Sequence, residues 1–559
     1  MRFVRFLFVV VLVGGGVLAA AGVSAEARAP RPVITSVEAA YGSSVGYAHL
    51  IIHGRHLTGG TVTVAGRRTD ATVIDAEVIT AFPAGHRHGT RFPVVVRTKA
   101  GTSNTARYEF RHARQPGTLR AVAAEAAPGG KAADLEYSAT RCPAVGTCIS
   151  LGSDFSGAGP VARVTTNGRT ITQRVPVPAD SDGDGTADLA DLACPTATYC
   201  VAVGGYNADS ASLISTWDGR AWTSVTAPVP PEGDNGAVGA LLHVACGGPG
   251  HCVAFDQQHV YTLDGGTWQV TAAPVPAGSR HVVLDHVSCP VAGWCTVTGS
   301  ADTATTSRNI VAVRAGTTWT SRFLPNPPHW KQKFNPDVDG LDCAHRDRCT
   351  LLAGGLAGGG AAPLSFATLH GGAVHWTAVP VPADARSATA WAVAVEGDAS
   401  LRCPTTGTCW ALAAYSVRGL SGRRGLQPVA LRLHDGTTAR VFPMPRPATS
   451  RTGWFALSDL ACANPSACVA VGSRGDGDAN DVRGDAIVET YADGVWTPVA
   501  APSPKGRPRY SGYEFTAVDC AAVGRCTAVG DYNYDHDPDA GEGEPLEKSR
   551  PVILDITPR

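Results

Sequence analysis

The sequence predicts an all-β chain, and three observations carry that prediction. Its sixteen cysteines fall into eight Cys-x5-Cys pairs with none left over. Around each pair, four short apolar runs are separated by Gly, Asp, Asn or Pro, the pattern of strands joined by turns. No apolar repeat of helical spacing persists between the runs for about ten residues or more.

Ser458–Pro504 is the fullest copy of the repeating unit. One apolar run ends at Cys462, and Cys468–Gly472, Ala486–Tyr491 and Val495–Ala500 follow it. The pairs are Cys142/Cys148, Cys194/Cys200, Cys246/Cys252, Cys289/Cys295, Cys343/Cys349, Cys403/Cys409, Cys462/Cys468 and Cys520/Cys526, with first cysteines about 54 residues apart on average. Four strands in a repeat of roughly 40–50 residues build a β-propeller blade. The eighth repeat stops at a third strand within Pro551–Arg559, whereas Thr118–Gly130 resembles Trp496–Gly506 without its tryptophan. The expectation is an eight-bladed β-propeller of four-stranded blades over residues 117–559, closed by residues 117–127 completing the last blade. Closure removes exposed sheet edges.

Five residues between cysteines suit a hairpin cross-linked beside its turn. Each bridge then contributes about 2–3 kcal/mol by the loop-entropy account. The rival, zinc, prefers other spacings and needs a second pair nearby, and blades hold the pairs apart. With every cysteine in a bridge, no thiol remains as a nucleophile. A blade of this order places the cystine hairpin and the turn between strands three and four at one end. The irregular segments 325–340, 383–400, 474–485 and 531–549 gather at the other, where a rigid scaffold carries function on variable loops.

Ahead of the repeats, residues 1–25 read as a secretory signal. Arg2 and Arg5 form its charged start, Phe6–Val13 its apolar centre and Val23-Ser24-Ala25 a small-residue cleavage site. The alternative is a membrane anchor, opposed by glycines that interrupt a run barely long enough to span. The mature chain is expected to lack a transmembrane span and to be secreted, extracellular or held at the cell envelope, where disulfides persist.

Residues 32–111 alternate strongly and contain no cysteine. Pro32–Val37, Leu50–Leu57, Thr61–Gly66 and Val94–Asn104, with the G-x-x-L of Gly54–Leu57, resemble an IPT/TIG domain. That resemblance implies an immunoglobulin-like sandwich acting as a spacer or binding module, and implies no catalytic residue. His86 and His88 share one loop of it, as a weak metal site or as solvated polar residues. Residues 112–117 are a linker.

A 44% hydrophobic, 17% charged chain of net charge −1 buries ample core and offers no basic footprint, which excludes nucleic acid as a partner. The sharpest chemical signal is Asp180–Asp191. Asp180, Asp182, Asp184, Thr186, Asp188 and Asp191 occupy positions 1, 3, 5, 7, 9 and 12 of a calcium loop, with Gly185 at the turn and Asp replacing Glu at the end. Strand flanks make it similar to the isolated calcium loops of integrin-type propellers and dockerins; the alternative is a solvated acidic linker. Asp476, Asp478, Asn480 and Asp481, and the series Asp531 to Asp539, lack the turn glycine and read as solvated loops.

The turns at Trp217–Trp222, Leu263–Trp268 and Ala492–Trp496 resemble degenerate Asp-boxes of sialidase-like propellers, a structural likeness that implies no hydrolysis. Aromatic residues on the variable side, Trp330, Tyr206, Tyr510, Tyr532 and Tyr534, are candidates for stacking on a sugar or anchoring a protein. Trp391, Trp454 and Tyr513 precede first strands and are expected to pack between blades. The preferred reading is non-catalytic recognition of a glycan or extracellular protein, with a calcium-stabilised loop. Its rivals are a secreted glycoside hydrolase or lyase using carboxylates such as Glu396, Asp398 or Glu514, and a purely architectural module.

Overall fold

A computed structural model describes residues 29–39, 46–47, 49–84, 89–109, 118–123, 135–154, 159–182, 187–230, 239–328, 330, 338–357, 360–387, 391–392, 401–420, 426–447, 454–475, 484–505, 512–533 and 549–557. The export signal expected at 1–25 and the linker 112–117 lie outside them, as does His86–His88. The described secondary structure is all strand, and no described helix is long and apolar enough to cross a membrane.

The N-terminal part is a two-sheet sandwich. Val33–Ala39, Leu50–Arg55, Val78–Phe82 and Asp70–Val73 form one sheet; Ala106–Glu109, Arg91–Thr98, Thr61–Val64 and Arg67–Arg68 form the other, with Gly101–Thr102 beside Arg91–Thr98. Alternation puts Leu50, Ile52, Val62, Val64, Ile79, Val94 and Val96 into one shared core. Asn104 closes the sandwich by accepting from the Ile34 amide at 2.8 Å and donating to the Ile34 carbonyl at 2.9 Å.

Eight further antiparallel sheets follow, giving a β-propeller-like fold. The second is typical: Asp188–Thr196, Tyr199–Tyr206, Ala211–Trp217 and Trp222–Thr226 pair in chain order. In the eighth, Tyr513–Ala522, Arg525–Asn533 and Ser549–Thr557 are completed by Thr118–Ala123, with Thr118 opposite Thr557 and Ala123 opposite Val552.

All eight cysteine pairs are bridged as their spacing predicts. Cys142 is joined to Cys148, Cys194 to Cys200, Cys246 to Cys252 and Cys289 to Cys295. Cys343 is joined to Cys349, Cys403 to Cys409, Cys462 to Cys468 and Cys520 to Cys526. Their Cα atoms stand 3.9–4.1 Å apart, and no cysteine is free. Each bridge ties the first strand of its sheet to the second beside their turn.

A recurring glycine has a clear cause. In sheets one, two, four, seven and eight the first strand carries a bulge, and the glycine four residues after the second cysteine faces it. A Cβ on Gly152, Gly204, Gly299, Gly472 or Gly530 would stand 2.0–2.2 Å from the carbonyl oxygen of Glu136, Asp188, Val283, Ala456 or Glu514. Only glycine fits there.

Neighbouring sheets pack face to face through apolar layers, such as Leu151, Leu192 and Trp217 between the first and second. Each fully buried side chain of this size contributes about 1.5–3 kcal/mol. Leu135, Tyr137 and Val161 of the first sheet also pack on Ala517, Val529 and Ile553 of the eighth. Trp391 and Tyr513 are buried in such layers. Trp454 begins the first strand of the seventh sheet, Trp454–Asn464. The sixth sheet departs from the pattern: Trp391–Ala392 and Leu401–Thr405 both pair with Thr408–Ser416. The sandwich is seated against this sheet. Gly46–Tyr47 pairs with Arg446–Pro447, and Asp75 meets Arg418 at 3.1 Å.

Candidate functional site

The first strands of all eight sheets line one cavity of about 710 Å³. It lies at the disulfide end, where Cys194, Cys246 and Cys289 form part of its wall, rather than at the variable end where sequence reasoning placed function. In seven of the eight pairs the second cysteine lies deeper than the first. Cys200, Cys252, Cys295, Cys349, Cys409, Cys468 and Cys526 are buried in the apolar layers between sheets, and Cys148 is half-buried. The bridges are therefore staples of the scaffold, not a reactive surface.

The cavity wall is ordered by carboxylates that reach across sheet boundaries. Asp519 of the eighth sheet accepts from the Cys142 amide of the first at 2.7 Å. Arg141 of the first donates to Asp191 of the second at 3.3 Å, and Asp191 accepts from the Val244 amide of the third at 3.0 Å.

The same arrangement recurs five sheets further on. Asp342 of the fifth sheet accepts from the Cys403 amide of the sixth at 2.6 Å. Arg402 of the sixth donates to Asp459 of the seventh at 3.3 Å, and Asp459 accepts from the Val518 amide of the eighth at 2.8 Å. Ser288 links fourth to fifth by accepting from the Cys343 amide at 3.1 Å. Between third and fourth, further from the axis, Arg314 pairs with Asp264.

Electrostatics follow from these contacts. Burial works against the Arg402 charge, but Asp459, Asp342, Asp519 and Asp191 outweigh it and hold its pKa above the ordinary value. Asp342 is pushed up by burial, against the opposing pull of the Cys403 amide, Arg402, the Cys343 amide and Ser288. Each of the four aspartates already serves a backbone amide of the next sheet. Such a wall holds sheets in register.

The variable end of the same channel is different. Six residues before the first cysteine, sheets eight, one and two place Glu514, Glu136 and Asp188 at equivalent positions on adjacent first strands. Glu514 is exposed and lies opposite Asp531. Glu136 is half-buried, and its pKa is raised by burial and then by Asp531. Asp188, though open to solvent at the rim, is raised by surrounding protein and then by Asp209, against bonds from backbone amides.

Beside this rim lies the start of the expected calcium loop. Asp180 accepts from the Tyr206 hydroxyl at 3.0 Å and from Thr226 at 3.3 Å. The Asp182 amide donates to Asn207 at 2.9 Å. Asn207, Ala208 and Asp209 all have left-handed backbones, with φ of 54°, 52° and 61°. Asp184 and Thr186 lie outside the described residues. Asp191 does not join this group: it sits three residues further along the first strand, inside the cavity wall, and is consumed by the sheet contacts above. Among the described residues no three His, Cys, Asp or Glu side chains gather as a metal would require.

The aromatic candidates need correction. Tyr206 and Tyr532 are buried within their sheets, because they lie at the last and next-to-last positions of second strands on the packed face. Trp330 is half-buried, donates to the Pro363 carbonyl at 2.9 Å and packs on Trp376. Tyr510, Tyr534, Glu396 and Asp398 lie outside the described residues, as do 476–481 and 535–539. Asp218, in the Asp-box-like turn, accepts from the Ala221 and Arg220 amides at 2.8 Å, which lower its pKa and make it a turn former. Sequence reasoning missed Asp342, Asp459, Asp519 and Glu136 and gave Asp191 another role; the available signal was the recurrence of Asp three residues before the first cysteine (Asp191, Asp459) or one before it (Asp342, Asp519).

Residues 32–110 match the IPT/TIG domain model, so the sandwich is an IPT/TIG domain. No curated protein matches the chain. Among solved structures it is similar to an auxiliary nutrient-binding protein from Bacteroides thetaiotaomicron, at 8% identity, 73% coverage of this chain and 96% of that one, TM-score 0.27. It is also similar to the extracellular domain of a putative hybrid two-component system from B. thetaiotaomicron, at 11% identity, 77% and 47% coverage, TM-score 0.35. A third is Trypanosoma rangeli sialidase in complex with the inhibitor DANA, at 11% identity, 59% and 57% coverage, TM-score 0.28.

Proposed function

We propose that the eight sheets are the blades of one closed propeller, and that the protein is an exported, non-catalytic binding protein. The pairing of Thr118–Ala123 with Ser549–Thr557 and the contact of the first sheet with the eighth support closure. Eight disulfides and an IPT/TIG domain fit an extracellular setting.

The observation that carries the binding reading is the state of the channel carboxylates. Asp191, Asp342, Asp459 and Asp519 are all engaged by amides of the following sheet. Recognition therefore belongs to the opposite end, at the rim formed by Glu514, Glu136 and Asp188. Tyr510 and Tyr534 flank the strands Tyr513–Ala522 and Arg525–Asn533 in the chain. A glycan, with hydroxyls for carboxylates and faces for rings, suits that combination better than an apolar partner. Calcium bound by Asp180, Asp182 and Asp184, with Asp188 and Thr186, would order the adjoining loop; Asp191 is not among its ligands.

A glycan-array screen of the full chain, with and without a calcium chelator, tests this reading. The expected result is binding that weakens on chelation and in the Asp182→Ala, Asp184→Ala variant. Binding and melting temperature indifferent to both would remove the ion. One observation favours a second reading, a secreted carbohydrate-active enzyme: the Glu136 pKa is raised by burial and then by Asp531, the direction a general acid requires. Cleavage of an array-selected glycan, abolished by Glu136→Gln, would establish that reading instead.

A further inference from the structure

The seat of the IPT/TIG domain contains a buried charge arrangement that the binding reading does not use. His49, Thr80, Asp384, Tyr415 and Gln427 are all fully buried, the first two from the sandwich and the others from the sixth sheet and the segment leading to it. Nε2 of His49 lies 3.0 Å from Oδ2 of Asp384, and Nδ1 lies 2.7 Å from Oε1 of Gln427. Thr80 donates to the same Asp384 oxygen at 2.7 Å, and Tyr415 donates to the other at 2.8 Å.

The orientation of Gln427 decides the chemistry. Its amide nitrogen donates to the Pro428 and Met444 carbonyls, each at 2.9 Å, so only its oxygen is left to face the histidine. Both ring nitrogens of His49 thus meet acceptors, and a neutral imidazole has one donor, not two. Asp384 is the anion of the pair. Burial opposes its charge, but His49, Thr80 and Tyr415 outweigh burial and hold its carboxyl below the usual range.

The geometry points to a charged latch: a doubly protonated His49, clamped between Asp384 and Gln427, fastens the IPT/TIG domain to the sixth sheet, and loss of one ring proton unfastens it. Deprotonation would set a bare nitrogen against an acceptor in a space closed to water, an arrangement that is costly to keep. Around the latch, Phe82 meets the His49 ring edge-on at 5.2 Å. Arg418 is paired with Asp75, and Arg386 donates to the Leu420 carbonyl. Arg418 bonds Asp384 only through its backbone amide, which donates to the Asp384 carbonyl at 2.8 Å, so His49 supplies the counter-charge of the carboxylate. The latch makes the placement of the IPT/TIG domain responsive to external pH.

Amide hydrogen exchange on the full chain tests the latch, comparing wild type, His49→Gln and Asp384→Asn from about pH 5.5 to about pH 9. Rates are corrected for intrinsic chemistry and read on peptides covering Leu50–Arg55, Val78–Phe82 and 384–387. The expected result in wild type is about a tenfold loss of protection as pH rises, confined to these peptides. Both variants should show low, pH-independent protection there while the Tyr199–Tyr206 strand stays protected. Asp384→Asn keeps the shape of the site, so it separates charge from packing. Protection in wild type that is flat with pH, or the same slope surviving in either folded variant, would overturn the latch.

Discussion

The two ends of the channel use the same residue types in opposite ways. At the disulfide end, Asp191, Asp459 and Asp519 lie next to backbone amides and two arginines, and each spans a sheet boundary. At the variable end, Glu136 and Asp188 lie beside other carboxylates, and their pKa values are raised. A carboxylate that meets donors becomes a structural fastener, whereas one that meets burial and like charge is held in an uncommitted state. The neighbourhood, not the residue, decides which of the two a carboxylate becomes.

Breaking a fastener should have the largest effect. Asp459→Ala removes the acceptor of the Val518 and Leu460 amides and the partner of Arg402. It is expected to lower unfolding free energy by about 3–5 kcal/mol in denaturant titration, against little change for Glu514→Ala at the exposed rim. Removing one cystine comes next. Cys462→Ser with Cys468→Ser is expected to cost about 2–3 kcal/mol, read the same way. A result near zero would mean the fasteners alone hold the hairpin.

Glu489 sharpens the comparison by offering a third environment, between the sixth and seventh sheets. It is fully buried, neither carboxyl oxygen has a hydrogen-bond partner among the described residues, and burial raises its pKa well above the ordinary value. A raised carboxyl pKa means the folded state holds its proton after the unfolded chain has released it. Stability is then present at low pH and lost as pH rises from the ordinary glutamate value toward the folded one. Glu489→Gln should remove that slope and gain about 1–2 kcal/mol at neutral pH. A parallel stability-versus-pH curve for wild type and variant would contradict it. The smallest effect is expected of Glu136→Gln: a gain below about 1 kcal/mol at neutral pH, with the same sign of slope removed, since Glu136 is only half-buried.

Local spacing made much of the fold legible. The cystine hairpins and the strands after them follow from short sequence intervals, and the pairing of Thr118–Ala123 with Ser549–Thr557 from the fourth strand that the last repeat lacks. Contacts across sheet boundaries were not legible, because their partners lie about 50 residues or more away in the chain. Asp191 shows why. Counted along the chain it completes a calcium loop, yet the strand carries it into the channel wall, where the third sheet claims it. Tyr206 reads as a loop residue because its strand ends in turn formers, but it lies at the last position of the strand and is buried. His49 and Asp384 carry no local motif at all; only the seating of one domain on the other brings them together.

Recognition without chemistry at the variable rim is the central claim. The decisive measurement is calorimetric titration of an array-selected glycan into wild type and into Glu136→Gln with Asp188→Asn, followed by analysis of the recovered sugar. Saturable binding by wild type is predicted, with at least about tenfold weaker binding by the variant and an intact glycan in both cases. Cleaved sugar, or undiminished affinity in the double variant, would contradict it.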